Sequence, residues 1–177
     1  MMRLLLIAAL VLRAAPAADY LPVPVSVAPA QGSLIIDQSF SVAITGYQDP
    51  RTSAAASRML DRLLAKTGMP LPSAGRGSSP AALRIECAGP GEQDESYRLE
   101  IAPGGARLSA PQPLGILRGL ETFLQAVEPA PRGFSAAAVT IEDRPRFVWR
   151  GLLIDSARHF LPLEVIKRNL DGMAAVK

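Results

Sequence analysis

The chain has 177 residues, 49% of them apolar and 20% charged, with a formal net charge of +3. That apolar content excludes general disorder and calls for a packed core. The basic excess is scattered arginine, without like-charge runs or aromatic interleaving, so nucleic acid is not an expected partner.

Met1 to Arg3 gives a positive start, Leu4 to Leu12 an apolar run, and Ala15-Pro16-Ala17 a small-residue cleavage pattern. Residues 1–18 therefore read as a secretory signal peptide, and export to the periplasm or the extracellular space is expected. The apolar run is well short of the roughly 20 residues a spanning helix needs, so no stable membrane anchor is expected.

After this leader, Leu21-Pro22-Val23-Pro24 is an extended lead-in, because each proline disfavours helix at the residue before it. Ser33 to Ile36 and Phe40 to Thr45 read as strands, and the short Asp37-Gln38-Ser39 link allows them to pair as a hairpin. Asp49-Pro50 supplies a cap and a first-turn proline for a helix. Its stripe is Ala56, Met59, Leu60, Leu63 and Leu64, ending at Thr67-Gly68. Pro70 to Pro80, rich in Pro, Gly and Ser, reads as a surface loop.

Ala82 to Cys87 resumes as a strand with Arg84 and Glu86 on its wet side. Cys87 is the only cysteine, so no internal disulfide can form; in phase with Leu83 and Ile85, it is expected to pack as a small buried hydrophobe. Tyr97, Leu99 and Ile101 alternate with Arg98 and Glu100, Pro103-Gly104-Gly105 makes a turn, and Ala106 to Ala110 returns as the partner strand. From Pro113 the period lengthens, and Leu114, Leu117, Leu120, Leu124 and Val127 mark a second helix closed by Glu128-Pro129. A last strand, Ala136 to Ile141, leads to Glu142-Asp143-Arg144-Pro145. Residues 19–143 thus read as one α/β domain, a two-layer sandwich of a mixed sheet with two helices on one face.

The stretch 144–177 has a different design. Phe147 to Asp155 is a short apolar run of the kind that suits a strand buried on both faces. From Pro162, Leu163, Ile166, Leu170 and Met173 form a helical stripe, with Glu164 near the positive end of the helix dipole. A lone strand and helix cannot bury both faces of the strand. Either the unit packs on something upstream, or it opens a larger sheet such as a (β/α)8 barrel, which needs roughly 250 residues. Ala174, Ala175 and Val176 remain helix-compatible, which favours a barrel start truncated within its first unit. A free terminus there would expose an apolar patch.

Residues 19–143 offer little chemistry: no histidine, no clustered carboxylates beside a base, and glycines that match no phosphate-binding loop. In the later stretch, Arg150 lies inside an apolar strand, so its guanidinium must pair or face a polar cavity. Asp155 could be that partner or could cap the following turn. Asp155, Arg158 and His159 stand at the carboxyl end of the expected strand, where barrels carry functional groups, and equally suit an ion-pair and loop-fixing cluster. No cofactor and no metal site is expected.

Phe147 to Phe160, FVWRGLLIDSARHF, resembles the start of the catalytic barrel of family 20 glycoside hydrolases, the exo-acting β-N-acetylhexosaminidases. Asp143-Arg144-Pro145-Arg146-Phe147 resembles that family's domain junction, while Tyr97 to Ile101 and Gly115 to Gln125 resemble, more loosely, its amino-terminal non-catalytic domain. The resemblance implies hydrolysis of terminal β-linked N-acetylglucosamine or N-acetylgalactosamine from glycans or glycoconjugates, with the substrate's own acetamido group as nucleophile and retention of configuration. It also implies an Asp-Glu pair further into the barrel, beyond this chain, so that these residues alone would be inactive. Arg150 matches the family arginine that holds hydroxyls of the terminal sugar; Asp155, Arg158 and His159 are assigned to shaping the first loop. The alternative reading is a non-enzymatic carbohydrate-binding or accessory domain with a vestigial barrel segment. No pattern in the sequence bears on oligomeric state.

Overall fold

The computed structural model describes residues 19–71, 75–76 and 81–177; the expected leader and most of the expected 70–80 loop lie outside them. Alternating burial along the strands sets the architecture. In chain order the elements are β1 (Ser26–Ile36), β2 (Val42–Gly46), α1 (Pro50–Thr67), β3 (Gly75–Arg76), β4 (Leu83–Cys87), β5 (Tyr97–Ala102), β6 (Gly105–Ala110), α2 (Pro113–Ala126), β7 (Val127–Ala130), β8 (Gly133–Asp143) and α3 (Leu163–Ala175). The strands form one mixed sheet in the order β1-β8-β5-β6-β4-β2-β3, with β7 also on β8. β2, β4 and β6 run parallel to one another, whereas β5, β8 and β1 pair antiparallel.

The register carries one aliphatic row across five strands: Ile44, Ile85, Leu108, Leu99 and Ile141 are successive partners. Four of them are fully buried and Ile44 nearly so. Side chains one position along point to the other face, where Arg98 pairs with Glu100 and Glu142, and Arg107 with Glu86. The sheet therefore has one dry face and one charged, open face, and both long helices cover the dry one.

Helix α1 begins where the Asp49 side chain accepts the Arg51 N–H at 2.8 Å, and ends at Gly68, whose φ of 71° suits a left-handed cap. It buries Ala56, Met59, Leu60 and Leu63. Helix α2 buries Ile116, Leu120, Phe123 and Leu124, and Phe123 stacks on Phe40 with ring centroids 5.6 Å apart. The helices are tied to each other by Arg62 to Glu121 and by the Lys66 ammonium to the Leu124 carbonyl. Burying each such aliphatic or aromatic side chain is worth about 1.5–3 kcal/mol.

Several expectations change. The strands around Ile36 and Val42 do not form a hairpin: β1 pairs with β8 and β2 with β3 and β4. Their link instead buries Phe40 against α2, so tertiary packing overrides the short connection. Of the expected α2 stripe, Leu120, Leu124 and Val127 are buried, Leu114 and Leu117 are only half-buried, and Ile116 and Phe123 complete the face on the sheet. Val127–Ala130 is a strand on β8 rather than a simple helix stop. Residues 147–155, read as a strand, make no ladder; Val148 and Leu153 are almost fully exposed. A strand exists only by pairing, and this segment pairs with no strand of the sheet.

Close approach of α2 to the sheet depends on a glycine. A Cβ on Gly115 would stand 2.1 Å from the Ser96 carbonyl oxygen, whereas one on Gly172 in α3 would meet nothing within 4 Å. Gly115→Ala should therefore destabilise the chain by about 1–3 kcal/mol in urea unfolding, despite the gain in helix propensity, through overpacking. Gly172→Ala should cost nothing. Equal or greater stability of Gly115→Ala would show that the helix does not sit this close.

Candidate functional site

The dry face of the sheet ends in a cluster of polar groups, built by β5, α2 and the end of β8. Tyr97 opens β5, Thr122 lies on α2, and Asp143 closes β8. The Tyr97 hydroxyl shares a 2.5 Å hydrogen bond with Thr122 and donates to Asp143 Oδ2 at 2.9 Å. Burial pushes this phenol well above its ordinary pKa. The other carboxylate oxygen of Asp143 accepts the backbone N–H groups of Val25 and Arg144. Into this cluster reaches Lys177, whose ammonium donates to Asp143 Oδ2 at 2.9 Å and Tyr97 Oη at 2.8 Å and lies 5.2 Å from the Tyr97 ring centroid. Its side chain is 7% exposed and that of Asp143 is 10%.

Glu95 stands beside this cluster. Gln112 accepts the N–H groups of Gln93 and Asp94, which fixes the approach to β5. The Glu95 Oε2 oxygen then receives Arg118 Nε from α2 and Arg150 Nη2 from the junction segment, each at 2.6 Å. Burial raises its pKa, but the hydrogen bonds from Arg150 and Arg118 outweigh this and hold the carboxyl below its ordinary range. Arg150 also donates from Nε to the Lys177 carbonyl and from Nη1 to the Phe147 carbonyl, both at 2.8 Å. The two clusters line one cleft of about 260 Å³, walled further by Pro22, Val23, Arg144 and Pro145.

The structure thus gives Arg150 an acidic partner, but that partner is Glu95 and not Asp155. Asp155 accepts the Ala157 and Arg158 N–H groups and pairs with Arg158 at 3.3 Å, a turn-closing arrangement in an exposed loop that also holds His159. Asp155 and Arg158 meet each other, and neither meets Arg150. The sequence reading missed Glu95, Arg118, Thr122 and Lys177. Nothing local singled out Arg118, because α2 also carries Glu121, Thr122 and Gln125.

A second depression, of about 840 Å³, opens on the charged face beside Thr45, Glu86 and Arg98. Arg98 there is already paired with Glu100 and Glu142. Among the described residues, no group of three His, Cys, Asp or Glu side chains could hold a metal, and no helix is long and apolar enough to cross a membrane.

Comparison with known proteins places both parts of the chain. The model for glycosyl hydrolase family 20, domain 2, matches residues 18–144, and that for the family 20 catalytic domain matches residues 147–177. The human beta-hexosaminidase subunit beta is 49% identical over 82 residues, covering 46% of this chain and 15% of that protein. The match thus spans about a seventh of that relative. Among solved structures, a Flavobacterium johnsoniae chitobiase superposes with a TM-score of 0.83 at 36% identity over 88% of this chain and 25% of its own. A family 20 exo-β-N-acetylglucosaminidase from Vibrio harveyi, solved with N-acetylglucosamine, gives 0.71 at 25% identity, covering 88% and 24%.

The lowered Glu95 pKa fixes the sign of a pH effect. A carboxylate with a depressed folded-state pKa holds its partners above its ordinary value of 4.5 and releases them as pH falls through the lower value. Trp149, the chain's single tryptophan, adjoins Arg150 and reports on this segment. Its fluorescence anisotropy should stay level from pH 7 to about pH 5 and fall at lower pH, before the far-UV signal of the sheet changes. A level anisotropy down to the acid unfolding of the sheet would contradict the Glu95 contact.

Proposed function

The chain belongs to glycosyl hydrolase family 20, and we infer from that membership that the protein is an exo-acting β-N-acetylhexosaminidase. The observation that carries this reading is the catalytic-domain match over residues 147–177, which includes the Arg150 and Asp155 positions. The named activity of the Vibrio harveyi relative supports exo action and a terminal N-acetylglucosamine. Terminal β-linked N-acetylhexosamines on glycans or glycoconjugates are the proposed substrates, and the leader pattern at residues 1–18 supports export.

The proposed chemistry follows from the substrate. Its acetamido oxygen attacks the anomeric carbon from within the same sugar, the leaving oxygen takes a proton from a glutamic acid, and water opens the cyclic intermediate with retained configuration. An aspartate preceding that glutamic acid orients the acetamido group. Residues 147–177 contain no Asp-Glu pair, so in this reading they contribute binding and no general acid. Arg150 would hold sugar hydroxyls, a task suited to a planar fork of five N–H donors. Asp155 and Arg158 fix the turn beyond it, and His159 shares their loop.

The assay is release of nitrophenol from a chromogenic β-N-acetylglucosaminide. Residues 19–177 alone should give none above the blank, and the full product of the gene should turn it over with the β-anomer released first. Turnover by residues 19–177 that is lost in Arg150→Ala would overturn the assignment of the acid to a later part of the barrel. Binding of chitobiose without turnover by the full product would instead support the accessory-domain reading.

A further inference from the structure

Between Asp19 and Asp37 the chain carries no charge, and the first part of this stretch, Leu21-Pro22-Val23-Pro24-Val25, forms a strap across one end of the amino-terminal body, residues 19–143. Side chains hold it at both ends. Gln125 of α2 accepts the Leu21 N–H at 2.9 Å and donates to the Leu21 carbonyl at 2.8 Å. Asp143, at the end of β8, accepts the Val25 N–H at 3.2 Å. Tyr20 and Pro24 are buried and anchor the strap further. Its two prolines restrict the backbone between these points, so little freedom is left to lose when another surface packs on it.

The outward side chains contrast with this firm seating. Leu21 is 63% exposed, Val23 65% and Val25 56%. In residues 26–143, the most open large apolar side chain among the described residues is Ile35, at 54%. Three such groups on one fixed segment form an unused apolar strip, and covering it would be favourable.

The strap also lies where the chain leaves the body. Pro22 and Val23 wall a cleft together with Tyr97, Asp143 and Arg144. The catalytic-domain match begins at Phe147, four residues after Asp143. An extended chain advances at most about 3.6 Å per residue, so that domain must open within about 14 Å of the residue that holds Val25. We propose that Leu21 to Val25, centred on Val23, is the strip on which the catalytic barrel docks. This rests on the reading of residues 147–177 as the opening of that barrel. The surface it receives is apolar, because an uncharged strip offers a charged partner no counter-ion. Gln125 and Asp143 serve the docking indirectly, by fixing the strap's two ends.

Thiol labelling reads this burial directly. Val23→Cys and Ile35→Cys are mild replacements at two positions of similar exposure, and Ile35 lies at the far end of β1, opposite Ser135. In residues 19–177 the two variants should react with a water-soluble maleimide at similar rates, while the native Cys87, 1% exposed, stays unreactive. In the full product of the gene, read on the peptide that carries each position, Val23→Cys should react about tenfold more slowly than Ile35→Cys, as expected for burying a side chain of this size. Leu21→Cys serves as the second strap position should Val23→Cys misfold. Equal rates in the full product would overturn the docking strip, and so would protection that appears only as protein concentration rises, which would mean a second copy. Labelling does not depend on turnover. An active enzyme that labels equally at both positions would sink the strip alone, and an inactive product protected at position 23 would sink the activity reading alone.

Discussion

The buried row Ile44, Ile85, Leu108, Leu99 and Ile141 is the constraint from which the rest of the structure follows. Because strands alternate with a period of two, placing these five side chains on one face commits Arg84, Glu86, Arg98, Glu100 and Arg107 to the other. The dry face must then be covered by apolar stripes of matching width. Met59 and Leu63 of α1 and Ile116, Leu120 and Phe123 of α2 provide them. The charged face needs no cover, and its ion pairs, largely in water, add little to stability.

The same constraint shapes the end of the body that carries the cleft. Where the apolar row stops, Tyr97, Glu95 and Asp143 bring polar atoms to the margin of the core, and each must find a partner there. Thr122 and Arg118 on α2 supply two from within. Lys177 and Arg150 supply two more from the segment that matches the family's catalytic domain. The body thus meets the barrel segment through two ion pairs, a buried one between Asp143 and Lys177 and a half-exposed one between Glu95 and Arg150. Such a junction has defined geometry but depends on the ionisation of two carboxylates.

Much of this was legible in the sequence because the signals were local. Asp49-Pro50 and Gly68 bracket α1, alternation marks β4 and β5, and Pro103-Gly104-Gly105 fixes the β5–β6 turn. The barrel-start motif was also local, and it pointed to the family now shown by both model matches. What failed was non-local. No short-range pattern says that β1 crosses to β8, that Val127 begins a strand, or that Phe147 to Asp155 lacks a neighbour to pair with. The stripe on α2 was legible in part: Leu120 and Leu124 are buried as expected, Ile116 and Phe123 were missed, and Gly115 and Gly119 mark the side that lies on the sheet. For Arg150 the need for a carboxylate was evident, yet its partner lies 55 residues back in the chain.

The central claim is that the amino-terminal body folds on its own core and that residues 145–177 borrow their order from it. Equilibrium urea unfolding of residues 19–144, set beside the circular dichroism of a 145–177 peptide, tests this most directly. The account predicts a single cooperative transition for the body and no stable helix in the peptide. A body that fails to unfold cooperatively without the segment, or a peptide that is helical alone, would contradict it.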